Sequence, residues 1–250
     1  MKPASFKDHF SAHASAYARY RPGYPEALFV YLASLCPAHD LAWDCGTGNG
    51  QAAHGLAPHF ARIVATDASV DQIANAAPHE RIVYHVAPAR QAPLDPSSAD
   101  LVTVAQAIHW FDHQRFYAEV RRVLKPGGVL AVWTYGLLQI TPALDAVIRH
   151  LYEDIVDAYW PPERRLVEAA YRTLPFPFDE IPPPAFAIDL PWSLDDLLGY
   201  LGTWSATQRF MKTHSANPVD HIAEDLTLAW GNLAEKKTTH WQLYLRVGRV

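Results

Sequence analysis

The chain predicts an α/β fold built on a doubly wound, mostly parallel sheet. Between Leu41 and Tyr135, short β-branched or apolar runs alternate with longer amphipathic stretches. A glycine-rich segment, "DCGTGNG", follows the first of those runs. Half of the 250 residues are hydrophobic and 19% are charged, the texture of a chain that buries a core. Strands alternating with helices imply βαβ units. Right-handed crossovers then wind the helices onto both faces of the sheet.

The elements follow in order. Residues 1–40 form an N-terminal arm, "FSAHASAYARYRPGYPEALFVYLASL" at its centre. Its second half, from Pro25, has helical texture. Its first half is aromatic and irregular, with Tyr17, Tyr20, Arg21 and Tyr24 around Pro22. Residues 41–135 supply five strands: "LAWDC", "RIVAT", "RIVYHV", "DLVTVA" and "VLAVWTY". Between them, "SVDQIANAAP" is a helix opened by a Ser cap. "DHQRFYAEVRRVL" puts Phe116, Val120, Val123 and Leu124 on one helical face, and "KPGG" ends it with a turn.

After Tyr135, over 136–250, the texture changes. "TPALDAVIRHLYEDIVDAYW" reads as helical. "LPFPFDEIPPPAF" holds too many prolines for a helix or central strand, so it is an exposed connection into a strand at "FAIDL". "SLDDLLGYLGTW" and "NPVDHIAEDLTLAWGNLAEKK" are helices, the second with Pro218 in its first turn. "HWQLYLRVGRV" is the closing strand. The expectation is a single domain over 1–250 with a helical insertion before the last strand, the length being that of one large domain on the usual scale of roughly 100–200 residues.

Composition excludes several classes. The formal charge is −5 with no dense Lys/Arg run, unlike the basic face of a nucleic-acid binder. Two cysteines are too few for a disulfide scaffold, and Cys45 reads as a small buried strand residue. The N-terminus lacks the apolar core of a signal peptide, and no stretch approaches the ~18 apolar residues of a membrane span. The reading is a cytoplasmic protein. The thirteen histidines show no metal spacing such as H-E-x-x-H, so no metal is expected.

"DCGTGNG" sits where an open α/β sheet binds ligands, at the carboxyl end of a strand. Glycines there let the backbone take positive φ and approach a ligand closely. The Gly-Lys-Ser/Thr ending of a phosphate loop is missing. The third glycine of the dinucleotide pattern G-x-G-x-x-G falls on Gln51, or on Ala52 with a slip of one. Asp44 ahead of Gly46 would repel phosphates. Asp67, 23 positions after Asp44 at the end of the second strand, suits the two hydroxyls of a ribose. Asp67 would alternatively cap the next helix, a task for which Ser69 competes. Together these residues describe a nucleoside site without a pyrophosphate.

Here the chain resembles the class I S-adenosylmethionine-dependent methyltransferases. Asp-x-Gly-x-Gly-x-Gly after the first strand and an acid after the second are the family's pattern. "APARQAPLDPSSADLVTVAQAIHWFD" resembles its third strand, adenine loop and fourth strand, and "VRRVLKPGGVLAVW" its turn and fifth strand. "YRPGYP" and "QAIHWF" resemble a subgroup that includes trans-aconitate methyltransferases. The resemblance implies a Rossmann-like methyltransferase sheet of seven strands, the last hairpin antiparallel, with S-adenosyl-L-methionine as cofactor.

It also implies roles. Asp44 and Gln106 would hold the methionine end. Gly46 and Gly48 would let the backbone pass beneath the cofactor. Asp67 would take the ribose diol, with Ala68 by the adenine, and Ala89 and Arg90 would flank the base. Tyr20 and Arg21 would close the arm over the site. His109, just beyond the fourth strand, is the candidate catalytic base, its rival reading a structural histidine. The faces of Tyr17, Tyr20 and Trp110 are candidates to meet the sulfonium.

The acceptor is expected to be a small molecule, a carboxylic acid being one candidate, with Arg21 or Arg209 pairing its carboxylates. A carboxylate is ionised at neutral pH and needs placement only, whereas a phenol, with a pKa near 10, would need a base such as His109. Trp192, Trp204, Trp230 and Trp241 are expected to pack the late elements. The alternatives are a nicotinamide-dependent oxidoreductase and a non-catalytic S-adenosylmethionine-binding protein.

Overall fold

The computed structural model describes residues 20–250. The reading of Tyr17 falls outside them. A helix α1 (Glu26–Ser34) precedes the alternating strands and helices β1 (Leu41–Cys45), α2 (Gln51–Leu56), β2 (Arg62–Asp67), α3 (Val70–Ala74), β3 (Ile82–Val86), β4 (Ala99–Ala105), α4 (His113–Val123) and β5 (Leu124–Tyr135). Then come α5 (Pro142–His150), α6 (Arg164–Glu168), β6 (Asp179–Ile181), β7 (Phe186–Trp192), α7 (Leu194–Gly202), α8 (Ser205–His214), α9 (Ala223–Trp230) and β8 (Lys237–Arg249).

The strands form one sheet in the order β3-β2-β1-β4-β5-β8-β6, with β7 also on β8. β1 to β5 are mutually parallel, and β8 runs antiparallel to β5, β6 and β7. The order reverses at β1/β4, which is the switch point where such sheets bind ligands. Among the described residues the count is eight rather than seven, because two short strands share the place of one. β6 pairs with Val247–Arg249 of β8, and β7 with Lys237–Leu243. The split falls at Pro182–Pro184, where missing N–H groups interrupt the ladder.

Strand parity sorts the core onto two faces. Ala42, Ala131 and Trp133 join Leu28 and Leu32 of α1, Leu56 of α2 and Leu197 of α7 on one side. Trp43, Val102 and Val132 join Phe116, Val120 and Val123 of α4 on the other. Burying each such side chain stabilises the fold by about 1.5–3 kcal/mol. Asp112 caps α4 by accepting from the Arg115 N–H, as the sequence pattern requires. Ser193 opens α7 with a reciprocal capping box to Asp196. The four late tryptophans, Trp192, Trp204, Trp230 and Trp241, are all buried.

Some boundaries differ from the sequence reading. The 69–78 helix is confined to Val70–Ala74. "KPGG" is not a break before β5 but a bulge inside it, since Ala99 pairs with Leu124 and Leu101 with Val129. The long 141–160 helix ends at His150 and passes into a wide turn over Leu151–Ile155. α8 is an additional helix, with no Ser, Asp or Asn cap to announce it, Trp204 standing at its N-cap.

Candidate active site

Two adjoining cavities open at the carboxyl ends of the parallel strands. The larger, about 440 Å³, is lined by Gly46 and Gly48 after β1, Asp67 at the end of β2 and Ala68 beyond it, Ala89 and Arg90 after β3, and Gln106 and Trp110 after β4. That volume lies in the range of small-molecule sites, roughly 300–1,000 Å³. The smaller, about 70 Å³, is lined by Arg21, His109, Tyr135, Trp160, Arg164 and Trp204 among others, and it shares Gln106 and Trp110 with the larger.

The loop after β1 is shaped by its backbone. Gly46 and Thr47 both donate to the Thr66 carbonyl at the end of β2, at 2.8 and 3.0 Å. Gly46 sits at φ +69°, and a Cβ there would fall 2.6 Å from Ala107 Cβ. Gly50 takes φ +94° as the residue that starts α2, and a Cβ there would collide with the Tyr84 hydroxyl. Glycine alone meets both demands, left-handed backbone and close approach.

Asp67 stands at the mouth of that loop. Its Oδ2 accepts from the Gly48 N–H and its Oδ1 from the Ser69 N–H, both at 2.9 Å. The same carboxylate lines the larger cavity. Ser69, not Asp67, caps α3 through the Gln72 N–H.

Asp44 does not reach the cavity. It is fully buried, and its carboxylate accepts from the hydroxyls of Thr47 at 2.5 Å and Thr103 at 2.8 Å. Burial lifts its pKa to about 6, against the pull of those hydrogen bonds and with a further push from Asp67. It ties β1 to β4 and holds Thr47 of the glycine loop.

Gln106 is a non-glycine residue at φ +57°, which turns the chain sharply after β4. Its Oε1 accepts from the Thr134 hydroxyl at 2.8 Å. Its Nε2 is buried with no hydrogen-bond partner among the described residues, on a residue that lines both cavities. An acceptor oxygen of a bound ligand would satisfy it.

The arm residues part company. The ring of Tyr20 lies against Gly199 of α7 and lines neither cavity. Arg21 lines the smaller cavity instead of the larger one, donating to the Tyr135 hydroxyl and the Thr203 carbonyl beside the Tyr200 ring. Arg209 is turned to the Tyr159 carbonyl, away from both cavities. Packing of the late helices, which composition does not encode, sets these directions.

His109 does line the smaller cavity, but its Nδ1 is engaged by the Tyr171 hydroxyl at 2.8 Å. Burial, then the charge of Arg164 and of His113, pushes its pKa down to about 3. It is therefore neutral at pH 7 and a weak base. Cys45 is buried with its thiol pushed well above the usual range, first by burial. Among the described residues, no three His, Cys, Asp or Glu side chains gather as metal ligands. No helix among them is long and apolar enough to cross a membrane.

Sequence reading missed Tyr24 and Phe111 in the larger cavity and Arg164, Trp160 and Tyr135 in the smaller. Arg164 follows "WPPE", where two prolines signal only a turn. Its Nε donates to the Tyr152 hydroxyl at 2.8 Å, and its guanidinium lies over the Trp160 ring, 4.8 Å from the centroid. Tyr152 in turn donates to Glu168 at 2.6 Å. No carboxylate pairs with Arg164 among the described residues.

Residues 43–132 match the family model of a methyltransferase domain. A Dictyostelium discoideum protein named as a methyltransferase is 35% identical over 232 residues, covering 91% of this chain and 88% of its own. The chain belongs to the class I S-adenosylmethionine-dependent methyltransferases. A solved structure of an Anaeromyxobacter dehalogenans protein described as a type II methyltransferase is 47% identical, with a TM-score of 0.86 over 92% of this chain and 98% of that one. An uncharacterized Mycobacterium tuberculosis methyltransferase is 38% identical over 128 residues, about half of each chain. The family's cofactor is S-adenosylmethionine, and the rival nicotinamide-dependent reading falls with the family match. The size of the larger cavity, the Asp67 carboxylate in its lining and the orphaned Gln106 amide fit that cofactor.

Proposed function

We propose that this methyltransferase acts on a small molecule bearing a carboxylate, seated in the smaller cavity beside the cofactor. The observation that carries the reading is Arg164. It is held by Tyr152 and stacked on Trp160, and among the described residues it lacks an acidic partner. A guanidinium fixed in this way is suited to a bidentate carboxylate. Arg21 stands on the same wall, and Trp160, Tyr200 and Trp204 supply an apolar, aromatic surround. The resemblance of "YRPGYP" and "QAIHWF" to the trans-aconitate methyltransferase subgroup supports the same acceptor class.

In this reading the larger cavity holds the cofactor, which supplies an activated methyl group when bound. Asp67 accepts from the ribose hydroxyls. Ala89 and Arg90 flank the base, and Gln106 Nε2 donates to the methionine end. The neutral His109 fits an acceptor that is already ionised, for which placement replaces deprotonation. The test is a screen of small acids, amines and phenols, read by homocysteine release, with Arg164→Gln beside the wild type. A carboxylate acceptor should emerge. Its kcat/KM should fall roughly 10- to 150-fold in the variant, the scale of a lost hydrogen bond to a charged group. S-adenosylhomocysteine affinity should stay unchanged. Turnover of a neutral amine or phenol, indifferent to Arg164, would overturn the proposal.

A further inference from the structure

Arg164 and Glu168 open and close α6, one helical turn apart, at the spacing where an arginine and a glutamate ordinarily pair. Here they do not. No ion pair joins them among the described residues. The Tyr152 hydroxyl stands between them instead, accepting from Arg164 Nε at 2.8 Å and donating to Glu168 Oε1 at 2.6 Å. Tyr152 arrives from the wide turn after α5, where the Val156 N–H reaches back to the Leu151 carbonyl at 3.0 Å. Wide turns of this kind recur at functional sites.

The direction of these bonds is fixed by the donors. A guanidinium only donates, so the Tyr152 oxygen accepts from it and the hydroxyl proton goes to Glu168. Burial, above all, raises the Tyr152 pKa, so that proton stays in place at neutral pH.

The Arg164 guanidinium is thereby held on one face and one edge. Its face lies on the Trp160 ring, 4.8 Å from the centroid, and its Nε edge is spent on Tyr152. Trp160 is fixed in turn, its indole N–H donating to the Tyr152 carbonyl at 3.2 Å. Arg164 and Trp160 line the smaller cavity, whereas Tyr152 and Glu168 line neither. The two Nη nitrogens make no hydrogen bond among the described residues.

We propose that Tyr152 is a positioning residue that keeps Arg164 off Glu168 and presents its Nη edge, so that the smaller cavity takes a carboxylate end-on through Nη1 and Nη2. Side-on approach through Nε is closed, because Nε already donates to Tyr152. The inference rests on the reading of the smaller cavity as the acceptor site. Without the Tyr152 hydroxyl, Arg164 would fold back onto Glu168 and its charge would be quenched.

The test uses ¹⁵N-arginine-labelled enzyme saturated with S-adenosylhomocysteine, with Arg164→Gln identifying the Arg164 signals. Propionate is the probe and propionamide its neutral isostere, both followed by NMR titration. In the wild type propionate should shift the Nη signals of Arg164 more than Nε. Tyr152→Phe should weaken propionate binding roughly tenfold or more, the scale of a lost hydrogen bond to a charged group, and the preference over propionamide should fall with it. Glu168→Gln alone should weaken it only about twofold, since the amide oxygen still accepts from Tyr152. The double variant removes the competitor, so it should bind propionate at least about fivefold more tightly than Tyr152→Phe, beyond the roughly twofold scatter of independent sites. Losses that simply add in the double variant would overturn the proposal and leave Tyr152 a packing residue. If Tyr152→Phe does not fold, the wild type decides. Its Arg164 Nε–H should exchange with solvent more slowly than the Nη protons, and equal exchange would overturn the tether. A wild type that ignores propionate while its Nε–H is protected would overturn the carboxylate reading of the cavity, and the end-on seat with it, but not the tether.

Discussion

Replacing Asp67 by Asn tests the cofactor site most directly. In the structure each carboxylate oxygen accepts one backbone N–H, from Gly48 and from Ser69, both at 2.9 Å. In the proposed reading the same carboxylate accepts from the ribose hydroxyls. Asn keeps a single acceptor oxygen and turns an N–H₂ towards the other backbone donor. One hydroxyl therefore loses a hydrogen bond to a charged group, about 1.5–3 kcal/mol, or roughly 10- to 150-fold in Kd. The backbone donor that loses its partner adds about 1 kcal/mol to the cost of folding. For a chain of this size that is a fall in Tm of roughly 2–4 °C. The two effects are separable. Calorimetry with S-adenosylhomocysteine and with its 2′,3′-dideoxy analogue, on wild type and variant, closes a double-mutant cycle. A coupling of at least about 1.5 kcal/mol is expected between Asp67 and the diol. Strictly additive losses would mean that Asp67 only ties the glycine loop and that the ribose is held elsewhere.

Two further outcomes follow from the same site. Gly46→Ala should lower Tm by on the order of 10 °C and weaken S-adenosylhomocysteine binding, because left-handed backbone and overpacking against Ala107 together cost about 2–4 kcal/mol; an unchanged Tm would refute the close-approach argument. Asp44 has a folded pKa of about 6, above the ~3.9 of an unfolded aspartate. Its contribution to stability is thus fully present below about pH 4 and lost as the pH rises through 6, a change of about 3 kcal/mol at 1.36 kcal/mol per unit. Urea unfolding of wild type and Asp44→Asn from pH 4 to 8 should show their stability difference moving against the wild type by that amount; a difference that ignores pH would remove Asp44 from the buried-charge role.

Much of the cofactor half was readable along the chain because its information is local. Apolar runs set β1, β2 and β4, and Ser69 and Asp112 cap their helices within a few residues. Gly46, Gly48, Asp67, Ala68, Ala89, Arg90 and Gln106 all follow strand ends, and a parallel sheet brings successive strand ends to one edge. As the fourth residue of β1, Asp44 obeys strand parity, so it faces Thr103 of β4 inside the sheet.

The acceptor side has no such local code. Arg21, Tyr135, Trp160, Arg164 and Trp204 come from the arm, the end of β5 and the segments around α6 and α8, and no spacing rule relates them. The neutral state of His109 depends on burial and on Arg164, a residue 55 positions away that packing alone brings near. By itself the sequence determined the sheet, the glycine loop and the acid at the end of the second strand, since those depend on periodicity, capping and backbone freedom. Only the tertiary structure decided which arginines face the second cavity, that Asp44 ties β1 to β4 and that His109 meets the Tyr171 hydroxyl. Side-chain direction and desolvation belong to packed surroundings, and those exist only once remote segments meet.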